Sequence, residues 1–481
     1  MDDHARDVAE MHRWVLDGIR EQLDEGREDF TIRVECSYLV GAYLAVNAIA
    51  DARLVLEGPD CTYMKSQFVQ GNHDLMSTLM SVSGYHRVVT SDIHVDGLHA
   101  SRETGLRAKL HGVASHPSTR GLFVSSMPMA MITGADYDRL CREVREDTGT
   151  QVIAVRGLSL QGDWLDGYAE VLKCLARRLE LPEVERDPNK VAVLGYLMDR
   201  NEWDHRANLR ELRSIFEALG LELCSVWLSG QGFDELGRVA EAGTLVQLPY
   251  AGRAGKFLAR RTGADLLKLD LPFGLEATER FVRALGAHFD RREAAEAYIE
   301  ARLASIVPRL EVAVPLSFQN ARFGWVGDPI LLNGFDEMVR LLGGTLPFAV
   351  VTNRPTAERH LAPGLKERTE ILSYPRLRAF NAFVTRHLSE RKIHLLVTNT
   401  HGFNVLDDRA AFMEFGFPCI YDHALYDRPF LGFGGFACFV DRMMNTLQSK
   451  EAEGARQKGL RLMVARMKAA RGRDAPATAA E

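Results

Sequence analysis

The chain has 481 residues, with 46% hydrophobic residues, 26% charged residues and a formal net charge of −6. This length is too great for one hydrophobic core and indicates about three domains, and the composition is typical of a soluble globular protein. The negative charge argues against a general nucleic-acid binder, which needs a basic face.

Segments that would direct the chain to a membrane or out of the cell are not evident in the sequence. No apolar run reaches the roughly 18 residues of a membrane-spanning helix, and the polar, acidic start is unlike a signal peptide. The seven cysteines are odd in number and scattered, which does not suggest a disulfide framework. We therefore expect a reduced, cytoplasmic protein that binds neither membranes nor nucleic acid.

The first third of the chain alternates β-rich runs with helical stretches. Helical patterns cover residues 137–145 and 166–178. Strands that alternate with helices predict βαβ units and a parallel sheet. The predicted strands are 54–56, 87–90, 121–124 and 151–155.

The same alternation continues in two further units. A polar stretch with Pro182 and Pro188 is typical of a linker. A long charged helix is predicted from Arg291 to about Ser305, where it would connect the second unit to the third. The predicted strands are 190–195, 221–227, 244–248 and 266–270, then 323–327, 347–352, 393–398 and 418–421.

These patterns divide the chain into four parts. We predict an N-terminal αβ domain over 1–187, a middle αβ domain with its connecting helix over 188–320, and a C-terminal αβ domain over 321–450. The remaining residues, 451–481, are expected to form a helical or disordered tail.

Cys36 and Cys61 are the first candidates for chemistry. Each follows an apolar or β-branched run and precedes a helix-like segment. A helix N-terminus lowers the pKa of a thiol and favours the thiolate that binds iron or zinc. The competing interpretation is a pair of buried core cysteines, since free cysteine is often buried. Cofactor motifs of other kinds, such as a P-loop, CxxC, GxSxG or HExxH, do not occur.

Several segments, in one order along the chain, together resemble the nitrogenase component 1 family. Cys36 with 41–45, and 58–61, resemble the first two cluster-cysteine segments of that family, and 124–136 resembles the third. The remaining similar segments are 271–278, 327–332, 398–402, 415–418 and 428–433. The resemblance runs from about residue 30 to 447 and implies three Rossmann-like αβα domains with parallel sheets around a central cleft.

The resemblance also implies a cofactor and partners. An iron–sulfur cluster, either [4Fe–4S] or a P-cluster-like [8Fe–7S] cluster, would be bound by Cys36 and Cys61 and shared with a homologous α-like subunit. The assembly would be a heterotetramer. An ATP-dependent iron protein would supply electrons, in keeping with the lack of a nucleotide motif in this chain.

Two departures from the family concern the cluster. Met127 stands where the family has its third cluster cysteine, and a thioether is a poor ligand for clusters that bind thiolates. Asp163 stands where the β-type nitrogenase subunit has a cluster-adjacent serine. We therefore consider Asp163 a candidate cofactor-binding residue, with helix capping as the commoner explanation.

Two further departures concern the large metallocofactor. Residues 245–250 lack the cysteine that anchors it in nitrogenase, and Leu431 stands in place of the family's cofactor histidine. The resemblance therefore implies a β-like subunit of a nitrogenase-like reductase, in which a homologous partner completes the site. Cleavage of a methylthio C–S bond and reduction of a tetrapyrrole both occur in the family. The alternatives are a non-catalytic scaffold for metallocofactor assembly, a metal-free binding protein, and a homodimer in which two copies of Cys36 and Cys61 bind one cluster.

Overall fold

The computed structural model describes residues 29–59, 69–79, 86–93, 102–131, 134–157, 160–405 and 409–473. Within these residues the strands form three sheets of four, four and five strands. All of the strand pairs in them are parallel. The predicted fold class, an α/β chain with three parallel-sheet units, is therefore confirmed.

The N-terminal sheet has the strand order β2-β1-β3-β4. Two of its helices approach each other through glycines: a Cβ added at Gly41 would lie 1.8 Å from the Trp164 carbonyl oxygen, so only glycine fits there. The strands are β1 Ala52–Glu57, β2 Val88–Thr90, β3 Gly121–Ser126 and β4 Gln151–Ala154; the helices are α1 Tyr38–Asn47, α2 Arg102–Ala114, α3 Pro128–Met131, α4 Tyr137–Thr148 and α5 Trp164–Arg178.

The middle sheet has the strand order β6-β5-β7-β8. Its central strands contain runs of buried apolar residues, 191–194 in one and 245–246 in the other, as expected where helices cover both faces of a parallel sheet. The strands are β5 Asp187–Leu194, β6 Glu222–Val226, β7 Ala242–Gln247 and β8 Asp265–Lys268; the helices are α6 Trp203–Ala218, α7 Ala254–Thr262, α8 Leu275–His288 and α9 Arg292–Ala313.

The C-terminal sheet has the strand order β11-β10-β9-β12-β13. Asp328 caps the helix that follows β9, because its Oδ1 accepts hydrogen bonds from the Ile330 and Leu331 amides. The strands are β9 Arg322–Gly327, β10 Thr345–Val351, β11 Glu370–Ser373, β12 Leu395–Thr398 and β13 Ala411–Glu414; the helices are α10 Pro329–Leu341, α11 Leu365–Arg368, α12 Leu377–Glu390 and α13 Gly432–Arg473.

One predicted strand, 418–421, is wrong. The edge strand is β13 instead, and the segment after it wraps around the carboxylate at the end of β13. Glu414 accepts hydrogen bonds from the backbone amides of Ile420, Tyr421 and Asp422. Amides that point at one carboxylate cannot also pair with a neighbouring strand, so the apolar run does not join the sheet.

The first described residues pack on the C-terminal domain, and the last described helix extends past that domain's predicted end. The Val34 amide donates to the Pro375 carbonyl oxygen, and the Val34 side chain packs with the core of the C-terminal sheet. Helix α13 runs without a break across residue 450, the predicted start of the tail. None of the described helices is both long enough and apolar enough to cross a membrane.

Candidate functional site

Cys36 lies two residues before α1, as the sequence predicts. Its carbonyl oxygen accepts a hydrogen bond from the Trp164 amide, which ties it to the start of α5. Its Sγ lies 3.8 Å from Nε2 of His401, on the turn that follows β12. The thiol is 8% exposed. Cys36 therefore sits where elements of the N-terminal and C-terminal domains meet.

The electrostatic surroundings of Cys36 differ from the prediction. Burial raises the pKa of the Cys36 thiol, and the negative charges of Asp163 and Glu35 raise it further. The expectation that the helix N-terminus lowers this pKa is wrong, because burial and two carboxylates outweigh a partial charge. A cation bound at Sγ would reverse that balance and favour the thiolate.

His401 supplies a second donor atom beside this thiol. Burial lowers the pKa of His401 to about 4, so the imidazole is neutral at pH 7. A neutral imidazole and a thiolate are both common ligands for iron and zinc. A single ion bound by both at the usual bond lengths of about 2.0–2.3 Å would hold the S and N atoms roughly 3.5–3.8 Å apart.

Met127 lies immediately after β3, at the carboxyl end of the N-terminal sheet. Its amide donates to the Glu57 carbonyl oxygen, and its side chain is 5% exposed. A Cβ added at Gly58 would come within 2.5 Å of the Met127 sulfur. The thioether thus packs on the glycine that begins the segment leading to Cys61.

Asp163 has a clear structural role. Its Oδ1 accepts a hydrogen bond from the Leu165 amide at 2.9 Å, and its Oδ2 accepts from the Arg354 amide at 2.7 Å and from Nδ2 of Asn353 at 3.2 Å. It caps α5 in a capping box with Asp166. Burial raises the pKa of Asp163, against these hydrogen bonds. The carboxylate therefore joins α5 to the C-terminal sheet, and its ligation of a metal stays a prediction.

The second predicted ligand, Cys61, lies outside the described residues. Within the described part of the chain, no group of three or more histidine, cysteine, aspartate or glutamate side chains is arranged to bind a metal ion. Cys36 and His401 thus provide part of a ligand set. Further ligands would have to come from the segment with Cys61 or from another chain.

A cavity lies between the middle and C-terminal domains. Centres of water molecules can occupy about 30 Å³ of it, which is room for roughly two waters. Leu431, which stands in place of the family's cofactor histidine, lines it, and so does Tyr250, at the end of the segment 245–250 that lacks the cofactor cysteine. The whole lining is Tyr196, Leu197, Asp199, Arg200, Asp204, His205, Tyr250, Leu271, Leu331, Phe415, Gly416, Phe417, Cys419, Phe430 and Leu431.

A hydrogen-bonded group of titratable side chains lines one wall of this cavity. Nδ1 of His205 lies 2.8 Å from Oη of Tyr196, and Nε2 of His205 lies 2.6 Å from Oδ1 of Asp199. Burial disfavours charge on His205, but Asp204 and Asp199 outweigh it and raise the pKa of His205. Despite burial, the hydrogen bond and charge of His205 lower the pKa of Asp199. These opposite shifts favour a proton on His205 and a negative charge on Asp199.

A second, wider cleft lies next to this cavity, on the side of β8 and α8. Its volume is about 860 Å³. Among the described residues, Arg253, Lys268 and Arg359 line it and outnumber the one acidic residue outside an ion pair, Asp270. Arg280 and Glu337, which also line it, form an ion pair. Leu271 lines both the cavity and the cleft.

Sequence analysis included His401 only within the family-like segment 398–402 and did not pair it with Cys36. It missed Tyr196, Asp199 and His205 altogether. Their position in the loop and helix that follow β5 could have identified them, because ligands bind at the carboxyl ends of parallel strands. No spacing rule joins Cys36 to His401, since they belong to different domains.

The fold and the site together define a three-domain α/β protein with a buried thiol between two domains and a small, mostly apolar cavity that has one polar wall. A solved structure titled "Nitrogenase Cp1 at pH 6.5" has the same fold, with a TM-score of 0.74 at 18% identity over 88% of this chain and 94% of that one. The sequence profile of nitrogenase component 1 type oxidoreductases matches residues 36–448. The chain belongs to this family, and the resemblance drawn from its motifs is confirmed.

Relatives of both subunit types are similar to this chain. The nitrogenase molybdenum-iron protein alpha chain of Methanothermobacter marburgensis is 24% identical over 69% of this chain and 68% of its own length. The alpha chain of Methanothermobacter thermautotrophicus is 21% identical over 86% of this chain and 87% of its own. The beta chain of Methanococcus maripaludis is 22% identical over 60% of this chain and 65% of its own. The identities to the alpha chains and to the beta chain are similar, so they do not decide between an α-like and a β-like role for this chain.

Proposed function

We propose that this chain is a β-like catalytic-component subunit of a nitrogenase-like reductase, and that it shares an iron–sulfur cluster with a homologous subunit. The observation that carries the proposal is the incomplete donor pair of Cys36 and His401. The pair lies in a buried site where the described residues offer no third metal-binding side chain. A cluster needs about four ligands, so a second chain has to provide some of them.

The described residues fit part of such a site. Cys36 would hold the cluster through its thiolate, Cys61 is the proposed second thiolate, and the neutral His401 is placed to be a further ligand or a hydrogen-bond donor to sulfur. When bound, the cluster would relay electrons one at a time from an ATP-dependent iron protein. Within this chain, the task of the site is to bury the thiol and to keep water away from it.

An apolar surface close to this site suits a homologous partner. Tyr421 is 68% exposed and Leu425 is 82% exposed in the isolated chain. The ring of Tyr421 lies 5.5 Å from that of Phe403, two residues after His401. Large exposed apolar side chains in a cluster are typical of subunit interfaces. We propose that the α-like subunit covers this surface and so brings its own cluster ligands near Cys36.

The small volume of the cavity between the middle and C-terminal domains supports the β-like role. This cavity has room for roughly two water molecules, far less than a large metallocofactor needs. Leu431 and Tyr250 cannot replace a histidine and a cysteine as ligands in the family's usual way, since neither offers an imidazole or a thiolate. The chain therefore does not carry that cofactor.

The size of the cavity also bears on the substrate. A space for two or three non-hydrogen atoms, with mostly apolar walls, favours a small methylthio compound over a tetrapyrrole. The neighbouring cleft of about 860 Å³, with Arg253 and Lys268 on its walls, is the observation that favours a larger anionic substrate. Carboxylate groups of a tetrapyrrole would bind such cations.

The decisive experiment is anaerobic co-expression of this chain with its homologous neighbour and the cognate iron protein. Iron and sulfide analysis with native mass spectrometry should show a heteromer that contains iron, and dimethyl sulfide should be cleaved when ATP is present. Iron without turnover of dimethyl sulfide or protochlorophyllide would favour the assembly scaffold instead. A homodimer of this chain alone, with four irons and full turnover, would overturn the heteromeric proposal.

A further inference from the structure

The cavity wall formed by Tyr196, His205 and Asp199 has no role in binding the cluster. Tyr196 is 1% exposed and His205 is 1% exposed. Burial of an ion pair is costly unless each partner is well bonded, and here the His205–Asp199 contact is 2.6 Å. Such an arrangement, placed on the wall of a cavity, marks a candidate reacting site.

We propose that Tyr196 is the catalytic proton donor to a small, mostly apolar molecule reduced in this cavity, and that His205 and Asp199 are the positioning residues that resupply its proton. This inference rests on the proposed reductive function. It adds the cavity as the place where the substrate is reduced and Tyr196 as the residue that donates the proton. Every electron that reaches such a substrate has to be followed by a proton, and the cavity has little room for bulk water.

The other proton-bearing groups on the wall are engaged elsewhere. Tyr250 donates its hydroxyl to Oδ2 of Asp328 at 3.2 Å. Arg200 donates to Asp204 at 2.7 Å and to the Asp422 carbonyl oxygen at 2.6 Å. The Cys419 thiol donates to the same carbonyl oxygen at 3.3 Å. Tyr196 differs because its hydroxyl lies 2.8 Å from Nδ1 of His205, a group that can replace a lost proton, and its own donor contact, to the His205 carbonyl oxygen, is long at 3.3 Å.

The proton step can be written at named atoms. After the one-electron donor of the proposed function has reduced the substrate, the Tyr196 O–H bond breaks and a new bond to hydrogen forms at the reduced atom. The tyrosinate then takes the proton from Nδ1 of His205. His205 becomes neutral and keeps its Nε2 proton, which is held by Asp199. The substrate gains one electron and one proton, and the protein loses one proton that solvent replaces. Cleavage of dimethyl sulfide to methane and methanethiol breaks one C–S bond and takes two electrons and two protons, so this step occurs twice for each molecule cleaved.

The chemistry of Tyr196 suits a strongly basic acceptor. Burial raises the pKa of Tyr196 well above its usual range, so the hydroxyl stays protonated until an atom nearby becomes basic. A freshly reduced carbon or sulfur atom meets this condition, whereas an unreduced substrate does not. The groups that face His205 are Asp199, Asp204 and Arg200 on its own segment, with His73 on the far side of Asp199.

The test uses the complete complex with the iron protein and dimethyl sulfide as the probe. In Tyr196→Phe we expect methane and methanethiol formation to fall by roughly 10²- to 10⁴-fold, while reduction of the cluster by the iron protein continues at the wild-type rate. Tyr298→Phe is the matched control, because Tyr298 lies on α9 with its hydroxyl near Ser214. Wild-type product formation by Tyr196→Phe would overturn the proposal.

A second measurement separates this proposal from the proposed function. In the chain labelled with ¹³C-histidine, the signal that His205→Gln removes should show an imidazolium at pH 7, and its charge should be lost in Asp199→Asn. A neutral His205 in the wild-type chain would overturn the proton relay, whether or not the complex reduces anything. An absence of ATP-dependent cluster reduction in the wild-type complex would instead contradict the proposed function.

Discussion

Cys36 Sγ lies 3.8 Å from His401 Nε2, although the two residues are 365 positions apart in sequence. The contact joins the start of α1 to the turn after β12, so it forms only when the N-terminal and C-terminal domains are packed together. Because burial keeps His401 neutral, the imidazole adds a donor atom without adding a charge. Several predictions concern this pair and the carboxylates around it.

Replacement of Cys36 should remove the iron site without unfolding the chain. We expect Cys36→Ala, purified anaerobically with its partner, to lose most of its iron and its visible iron–sulfur absorbance. Its free energy of unfolding should fall by only about 1 kcal/mol. Cys141→Ala is the matched control, since Cys141 is an equally buried thiol on α4. Full iron content in Cys36→Ala, measured by metal analysis, would refute the assignment.

His401 should make stability depend on pH in the acidic range. Its pKa in the folded chain is about 4, below the ordinary value of 6.5. A lowered folded pKa means that the stabilising contribution is complete above pH 6.5 and is lost as the pH falls towards 4. We expect urea unfolding to show a loss on the order of 2–3 kcal/mol from this group over that window.

The variant His401→Gln should lack that component of the pH dependence. His111→Gln on α2 is the control, because His111 is an exposed histidine. An equally steep acidic loss in His401→Gln would show that other groups cause it. If His401 also binds the cluster, the same variant should contain less iron than His111→Gln.

Asp163→Asn separates helix capping from metal ligation. If the single oxygen of asparagine keeps the bond from the Leu165 amide, its NH2 group stands in place of Oδ2 and cannot accept from Arg354 and Asn353. We therefore expect a loss of about 1–3 kcal/mol in urea unfolding. Because both carboxylate oxygens of Asp163 already accept hydrogen bonds in the wild-type chain, we expect the iron content per folded molecule of the variant to stay at the wild-type level. A folded variant that lacks iron would instead support Asp163 as the ligand that the family resemblance suggests.

Most of the fold could be predicted from the sequence, because buried parallel strands are short β-branched and apolar runs between helical stretches. The edge strand was predicted at 418–421 but lies at 411–414. Both runs are apolar, and only the contacts of Glu414 distinguish them. The strand Glu370–Ser373 was not predicted, because its four residues carry little periodic signal.

The site was less predictable than the fold. Cys36 stood out because it is a cysteine at a strand-to-helix turn, and the family resemblance singled out Leu431 and the segment 245–250. The imidazoles of His401 and His205 carry no such signal, since their partners are determined by packing between domains. The raised pKa of Cys36 was also beyond sequence reasoning, because burial and the charge of Asp163 are tertiary effects.

Asp328 gives a last prediction, on stability at neutral and alkaline pH. Burial raises the pKa of Asp328 to about 6, against hydrogen bonds from the Leu331 and Ile330 amides. A raised folded pKa means that its favourable contribution is present below pH 3.8 and is lost as the pH rises through 6. Above pH 6 the buried carboxylate therefore costs on the order of 2–3 kcal/mol.

The variant Asp328→Asn should remove that cost and keep the cap. Its Oδ1 can still accept from Ile330 and Leu331, and its amide can donate to Tyr250. We expect the variant to match the wild type at pH 4 and to exceed its unfolding free energy at pH 8. Asp328→Ala, which loses the cap, should be less stable than Asp328→Asn by about 1 kcal/mol at both pH values. A wild-type chain that is more stable than Asp328→Asn at pH 8 would show that the ionised carboxylate is favoured in the fold.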